Sequence, residues 1–150
     1  MIIRHMGMLF ALVSLLATQI SAAPPEVTVF KTTTCGCCGK WVDHMRSSGF
    51  KVIVNEVSST AEYRQKYGVP EKLQSCHTAI AGGYSFEGHV PPSEILRILK
   101  EKPRAKGLAV PGMPMGSPGM EGSRRDPYSV VRFDQDGTLT VYQKYPGEGQ

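Results

Sequence analysis

The chain has no basic run. Its 17 lysines and arginines against 13 acidic residues leave a formal charge of +4. That charge is spread along the sequence, without the clustered basic face that nucleic-acid binding needs. No apolar stretch is long enough to span a bilayer comfortably; the main one, Met8 to Ala17, is too short. There is no internal repeat. There is also no cysteine before Cys35, which argues against a lipid anchor at a cleaved leader. Disorder is not the explanation for these absences, because 41% hydrophobic and 20% charged residues is ordinary globular composition. At 150 residues the chain suits one compact domain better than two.

What is present begins with an address. Arg4, the apolar run MLFALVSLLA and the small residues Ser21-Ala22-Ala23 form a signal-peptide pattern. Cleavage is expected after Ala22, since Pro24 would flank the bond after Ala23. Residues 1–22 are therefore read as a leader, and the mature protein as soluble and periplasmic, free of the membrane once cleaved.

In an oxidising compartment an even number of cysteines ordinarily means disulfides. The four here are Cys35, Cys37, Cys38 and Cys76. Three crowd into Cys35-Gly36-Cys37-Cys38, and adjacent cysteines pair only with strain. A structural framework distributes its cysteines; this sequence concentrates them, which points to chemistry.

The pattern places them on a fold. Val27 to Phe30 reads as a strand, and Trp41, Val42 and Met45 share a helical face that Gly49 stops. Lys51 to Val57 reads as a second strand. Ser59 and Glu62 form a capping-box pattern before a helix carrying Tyr63 and Tyr67. Cys76 to Ile80 and Tyr84 to Val90 flank Gly82-Gly83 as a hairpin. Pro91, Pro92 and Ser93 introduce a third helix with a stripe of Ile95, Leu96, Ile98 and Leu99. The order is βαβαββα, an α/β arrangement of thioredoxin-like type, with Cys35 and Cys38 as a C-x-x-C between the first strand and its helix. In such a fold the turn entering the third strand lies beside that helix's N-terminus, so Cys76 is expected to join the other three. Thioredoxins place a cis-proline at this turn; here Ser75-Cys76-His77-Thr78 stands instead. Gly107 to Gly122 reads as a Gly/Pro-rich loop, and Tyr128 to Phe133 with Thr138 to Tyr145 as a C-terminal β-hairpin elaboration. The tail from Pro146 is expected to fray. Residues 26–145 are thus expected to form a single thioredoxin-like domain, read as metal-binding from its cysteines.

Four segments carry a family resemblance. They are Thr34-Cys35-Gly36-Cys37-Cys38-Gly39-Lys40-Trp41, Gln74 to Ala79, Glu87-Gly88-His89-Val90-Pro91 and Val110-Pro111-Gly112-Met113-Pro114. Together they resemble the CopG-type family of small periplasmic, thioredoxin-like proteins associated with bacterial copper resistance. The resemblance implies copper handling through the thiolates of Cys35, Cys37, Cys38 and Cys76, and leaves open whether the metal is stored, transferred or reduced.

The residues themselves support the same chemistry. Thiolates are soft ligands that suit Cu(I), zinc and iron–sulfur clusters. A helix N-terminus favours thiolate over thiol, so Cys37 and Cys38 are expected to ionise readily. Structural zinc sites use two spaced C-x₂₋₄-C pairs, and adjacent cysteines converge poorly on one tetrahedral ion. Several Cu(I) ions bridged by shared sulfurs fit better, with zinc second. His77 is read either as a ligand or as a group that orients one. His89 is read as a surface histidine, His44 as solvated and Trp41 as core beneath the cysteine loop. Met113, Met115 and Met120 offer thioethers, but methionines in such a loop also simply cover apolar surface. The expected function is a periplasmic Cu(I)-binding protein with a possible copper redox role, working alongside other periplasmic copper-handling proteins. The competing reading is a thiol–disulfide oxidoreductase using Cys35 and Cys38.

Overall fold

The computed structural model describes residues 25–149; the leader expected over 1–22 lies outside them. Among the described residues no helix is long and apolar enough to cross a membrane.

Strand β1 (Glu26–Thr32) buries Val27 and Val29 on one face by simple alternation. Helix α1 (Gly36–Ser47) follows, burying Cys38, Trp41, Val42 and Met45. It ends at Gly49, whose φ of +87° suits glycine. Strand β2 (Lys51–Val57) then runs parallel to β1, with Val29 opposite Val54. Helix α2 (Ala61–Lys66) is short. Its entry differs from the expected capping box, because the Ser59 hydroxyl accepts from the Ala61 N–H and Glu62 does not close the box. The tyrosines of this region do what their spacing indicates: Tyr63 and Tyr67 stack on Phe30, ring centroids 4.1 and 5.7 Å away.

A single 3-10 turn (Glu71–Leu73) leads to β3 (His77–Ala81), which pairs antiparallel with β1 and with β4 (Tyr84–Glu87). Helix α3 (Pro92–Glu101) begins on a proline in its first turn, where the missing N–H is not needed. Ile95 and Ile98 are buried and Leu99 packs against the core, but Leu96 is 41% exposed and does not belong to the expected stripe. The loop expected over 107–122 yields its first three residues to a strand, β5 (Gly107–Ala109), parallel to β4. Three residues are too few to show a period. Any side chain at Gly107 would collide with the Ser85 carbonyl. Strands β6 (Tyr128–Phe133) and β7 (Leu139–Tyr145) complete one seven-stranded sheet, ordered β2-β1-β3-β4-β5-β6-β7. The tail expected to fray from Pro146 is held at one point, where the Glu148 N–H donates to the Arg125 carbonyl at 3.1 Å.

Among the described residues the result is a mixed α/β fold with three α-helices, in the element order expected through α3. Its main core joins Trp41 and Met45 of α1 to Phe86, Ile95, Ile98 and Leu108. The site residues gather at the end of β1, where α1 starts and β3 enters.

Candidate metal centre

Two local decisions bring the cysteines together. At the end of β1 the Cys35 N–H donates to the Thr32 carbonyl, closing a tight turn, and Cys35 becomes the N-terminal cap of α1 in extended conformation. Cys37 and Cys38 therefore sit in the first helical turn. Across the sheet, β1 pairs with β3 so that Lys31 faces His77. Cys76, one residue before β3, must then lie opposite Thr32 at the very end of β1, against the start of α1. The four sulfurs lie within 4.8 Å of one another, as the topology predicted for Cys76.

Cys35 and Cys38 are joined as a disulfide, their Cα atoms 5.4 Å apart, which is comfortable bridging distance. Cys37 and Cys76 are free thiols. The Cys37 sulfur lies 3.5 Å from that of Cys35, and the Cys38 sulfur 3.7 Å from the Cys76 carbonyl oxygen. Cys38 is buried, and the other three are partly exposed. Burial, then the neighbouring Cys37 sulfur, push the Cys76 thiol up to about 12. Without a cation nearby, it is held as the neutral thiol.

The turn carrying Cys76 is pinned by a buried carboxylate. One oxygen of Glu87 accepts from the Ser75 N–H and the other from the Thr78 hydroxyl, both at 2.7 Å. Arg64 stands 3.6 Å away. Burial raises the Glu87 pKa above the usual carboxylate value despite these partners. Gly88, at φ +71°, passes so close that an added Cβ would meet the Ser75 side chain and the Val110 carbonyl. The Ser75 hydroxyl in turn donates to the Gly112 carbonyl.

Two histidines complete the site, and the sequence reading missed one. His89, expected at the surface, is fully buried. Its Nδ1–H donates to the Pro118 carbonyl at 2.8 Å, which leaves Nε2 with a lone pair 2.9 Å from the Cys76 sulfur. The hairpin register held the missed signal. Thr78 pairs with Glu87, so continuing two positions outward sets Cys76 opposite His89. His77 is also fully buried, with Nδ1 3.5 Å from the Cys76 sulfur. Strand alternation does not separate it from Cys76, because Cys76 precedes the strand. Its ring lies against Trp41, centroids 4.4 Å apart, and edge-on to His89 at 5.2 Å. Burial first, then His89 and Lys31, lower the His77 pKa to about 3, so the ring is neutral. Cys76, His77 and His89 form a second cluster whose ligand atoms lie within 4.8 Å of one another.

The loop from Gly112 to Gly122 straps this arrangement. Gly119, at φ +87°, lies on α1 so closely that a Cβ would sit 2.7 Å from the Cys37 carbonyl oxygen. Trp41, in the core as expected, donates its indole N–H to the Val90 carbonyl at 2.9 Å. Exposed His44 pairs with Glu121, which also accepts from the Gly119 N–H. Met113 is 54% exposed and Met115 turns towards Gly122, while Met120 is partly buried.

Two solved structures share this architecture. One, described as copper resistance protein CopG in a first form, is 42% identical, covers 83% of this chain and 99% of its own, and superposes with a TM-score of 0.79. A second form is 41% identical, with 82% and 99% coverage and a TM-score of 0.78. This chain belongs to the CopG copper-resistance protein family. Residues 73–120 also match a family described as "Protein of unknown function, DUF411". That segment holds Cys76, His77, His89 and most of the strap, but not the Cys35–Cys38 motif of this chain. No curated protein sequence matches the chain.

Proposed function

We propose that the chain is an exported, periplasmic copper-binding protein of copper resistance that holds Cu(I) on the thiolates of Cys35, Cys37, Cys38 and Cys76. His77 stands beside them as ligand or orienting group. The observation that carries this reading is the convergence of four sulfurs within 4.8 Å at the start of a helix. Soft thiolates select Cu(I). Adjacent Cys37 and Cys38 suit sulfurs that bridge several ions better than one tetrahedral ion. The solved relatives named for copper resistance point the same way. Residues 26–145 act as one metal-binding domain, and the element order with the C-x-x-C at the first strand–helix junction supports a thioredoxin-like assignment.

The disulfide gives this reading a redox side. Cys35 and Cys38 must be reduced before all four sulfurs can ligate. In the opposite direction, closing the disulfide releases two electrons and two thiol protons. That is enough to reduce two Cu(II) to Cu(I). Competition of the fully reduced protein with a Cu(I) chelator, read as affinity and ions per chain, tests the proposal. More than one Cu(I) per chain, bound far more tightly than zinc, is expected. Preference for a single zinc would overturn it.

The Cys35–Cys38 disulfide also favours the second reading, a thiol–disulfide oxidoreductase. Against it stand the free sulfurs of Cys37 and Cys76 close by, which invite scrambling. Robust disulfide exchange by metal-free protein, spared in Cys37→Ser and untouched by copper, would establish it instead.

A further inference from the structure

The two ligand clusters share one residue, Cys76, and differ in everything else. The first is all sulfur, and two of its four members are tied up whenever Cys35 and Cys38 are a disulfide. The second, Cys76 with His77 and His89, uses neither of them. We propose that Cys76, His77 and His89 form a separate mononuclear site that takes one borderline divalent cation, of which zinc is the type, while the disulfide is closed.

The geometry is nearly that of a loaded site. Zinc–sulfur and zinc–nitrogen bonds of about 2.3 and 2.0–2.1 Å at a tetrahedral angle separate S from N by roughly 3.5 Å. His77 Nδ1 already stands 3.5 Å from the Cys76 sulfur, and His89 Nε2 stands 2.9 Å away. Of these two sulfur–nitrogen distances only that to His89 has to lengthen, by a fraction of an ångström, and the two ring nitrogens lie within 4.8 Å of each other. Its other nitrogen donates to the Pro118 carbonyl, the kind of hydrogen bond that fixes tautomer and ring direction in metal-ligating histidines.

Polar bookkeeping supports the same assignment. In the metal-free protein the single Cys76 thiol proton serves one lone pair, that of His89. His77 Nδ1, 3.5 Å from the same sulfur, competes for that one proton. A cation shared by both rings and the sulfur replaces one proton that cannot serve them all. One thiolate and two neutral imidazoles suit a borderline divalent ion, whereas a wholly thiolate cluster suits soft Cu(I).

Because Cys76 is common to both clusters, the two sites exclude each other, and the redox state of Cys35 and Cys38 selects between them. Opening the disulfide takes two electrons and two protons from a dithiol reductant, which is itself oxidised to a disulfide. The chain then gains two thiols, which release those protons to solvent as they ligate, and Cys76 passes to the sulfur cluster. The site goes beyond the Cu(I) reading and does not depend on it.

The test uses Cys35→Ser/Cys38→Ser, which cannot form the disulfide or the four-sulfur cluster but keeps the trio. Titrated with Co(II), a redox-quiet stand-in for zinc, it is expected to bind one ion per chain. The spectrum should show a thiolate-to-metal charge-transfer band and intense tetrahedral d–d bands, and Zn(II) should displace the Co(II). In the same background His89→Gln should weaken binding at least a hundredfold, and Cys76→Ser should abolish the charge-transfer band. Air-oxidised wild-type protein should behave like the double variant, so a folding defect in the variant does not decide the matter. Failure of both proteins to bind Co(II), or undiminished binding in His89→Gln, overturns the proposal. Cu(I) titration of reduced wild type reports on the four-sulfur cluster separately, so either site can fail alone.

Discussion

Glu87 holds the Cys76 turn from inside the protein, and removing it should loosen site and fold together. Truncation by Glu87→Ala strands two donors, the Ser75 N–H and the buried Thr78 hydroxyl, each now 2.7 Å from a carboxylate oxygen. An unpaired buried donor costs about 1–3 kcal/mol. Relief of a buried charge offsets part of this, which leaves an expected loss of about 2–4 kcal/mol. Glu87→Gln keeps the shape and one acceptor, and the Thr78 hydroxyl can rotate to accept from the new amide. Its expected loss is below about 1 kcal/mol. The pH dependence has a definite sign. Burial raises the Glu87 pKa in the folded state, so the native protein binds this proton more tightly than the unfolded chain does. That contribution is fully present below the unfolded carboxylate value and is lost as pH rises through the folded value. Across that window wild type should therefore lose stability relative to Glu87→Gln. Urea unfolding of the metal-free proteins, followed by circular dichroism at pH 4 to 8, measures both effects. An alanine variant within about 0.5 kcal/mol of wild type, or parallel pH profiles for wild type and Gln, would refute the reasoning.

Cys76→Ala should damage Cu(I) binding as severely as Cys35→Ala while circular dichroism stays native; wild-type stoichiometry would confine the metal to residues 35–38. Gly119→Ala places a Cβ 2.7 Å from the Cys37 carbonyl oxygen and 2.8 Å from the Trp41 nitrogen at φ +87°. It should lose at least about 1–2 kcal/mol in chemical denaturation, whereas Gly36→Ala, with nothing within 4 Å, should stay within about 0.5 kcal/mol. Thiol titration of denatured, unreduced protein should find two reactive cysteines, Cys37 and Cys76, and reduction should expose Cys35 and Cys38 as well.

Much of the frame was legible because its signals are local. The β-branched run of β2 set its limits at Lys51 and Val57, and Gly82-Gly83 marked the β3–β4 turn. Cys76 was legible for a topological reason, since the end of β1 and the entry to β3 must lie together once those strands pair. His89 was misread because it was judged by residue type and not by register; counting outward from the hairpin turn sets it opposite Cys76. Leu96 was misassigned because four apolar positions in five cover more of a helix than one buried face. β5 carried no period to read, since its place is set by the space that Gly107 leaves beside Ser85. The strap could not be read at all. Its grip on α1 depends on Gly119 and the Pro118 carbonyl meeting partners that no short pattern encodes.

The β3–β4 hairpin has a consequence for how the protein reaches its folded state. Cys76 and His89 are 13 residues apart, and His77 is adjacent to Cys76. Cys38 and Cys76 are 38 apart. Closing a short loop loses less chain entropy than closing a long one, and long-range strand pairing is the slower event. The hairpin trio is therefore a local product, while the sulfur cluster waits for β1 to find β3. A chain that folds in the presence of metal presents its mixed nitrogen–sulfur ligands before its four sulfurs meet. An ion met during folding would thus face a different ligand set from the one that the finished protein offers.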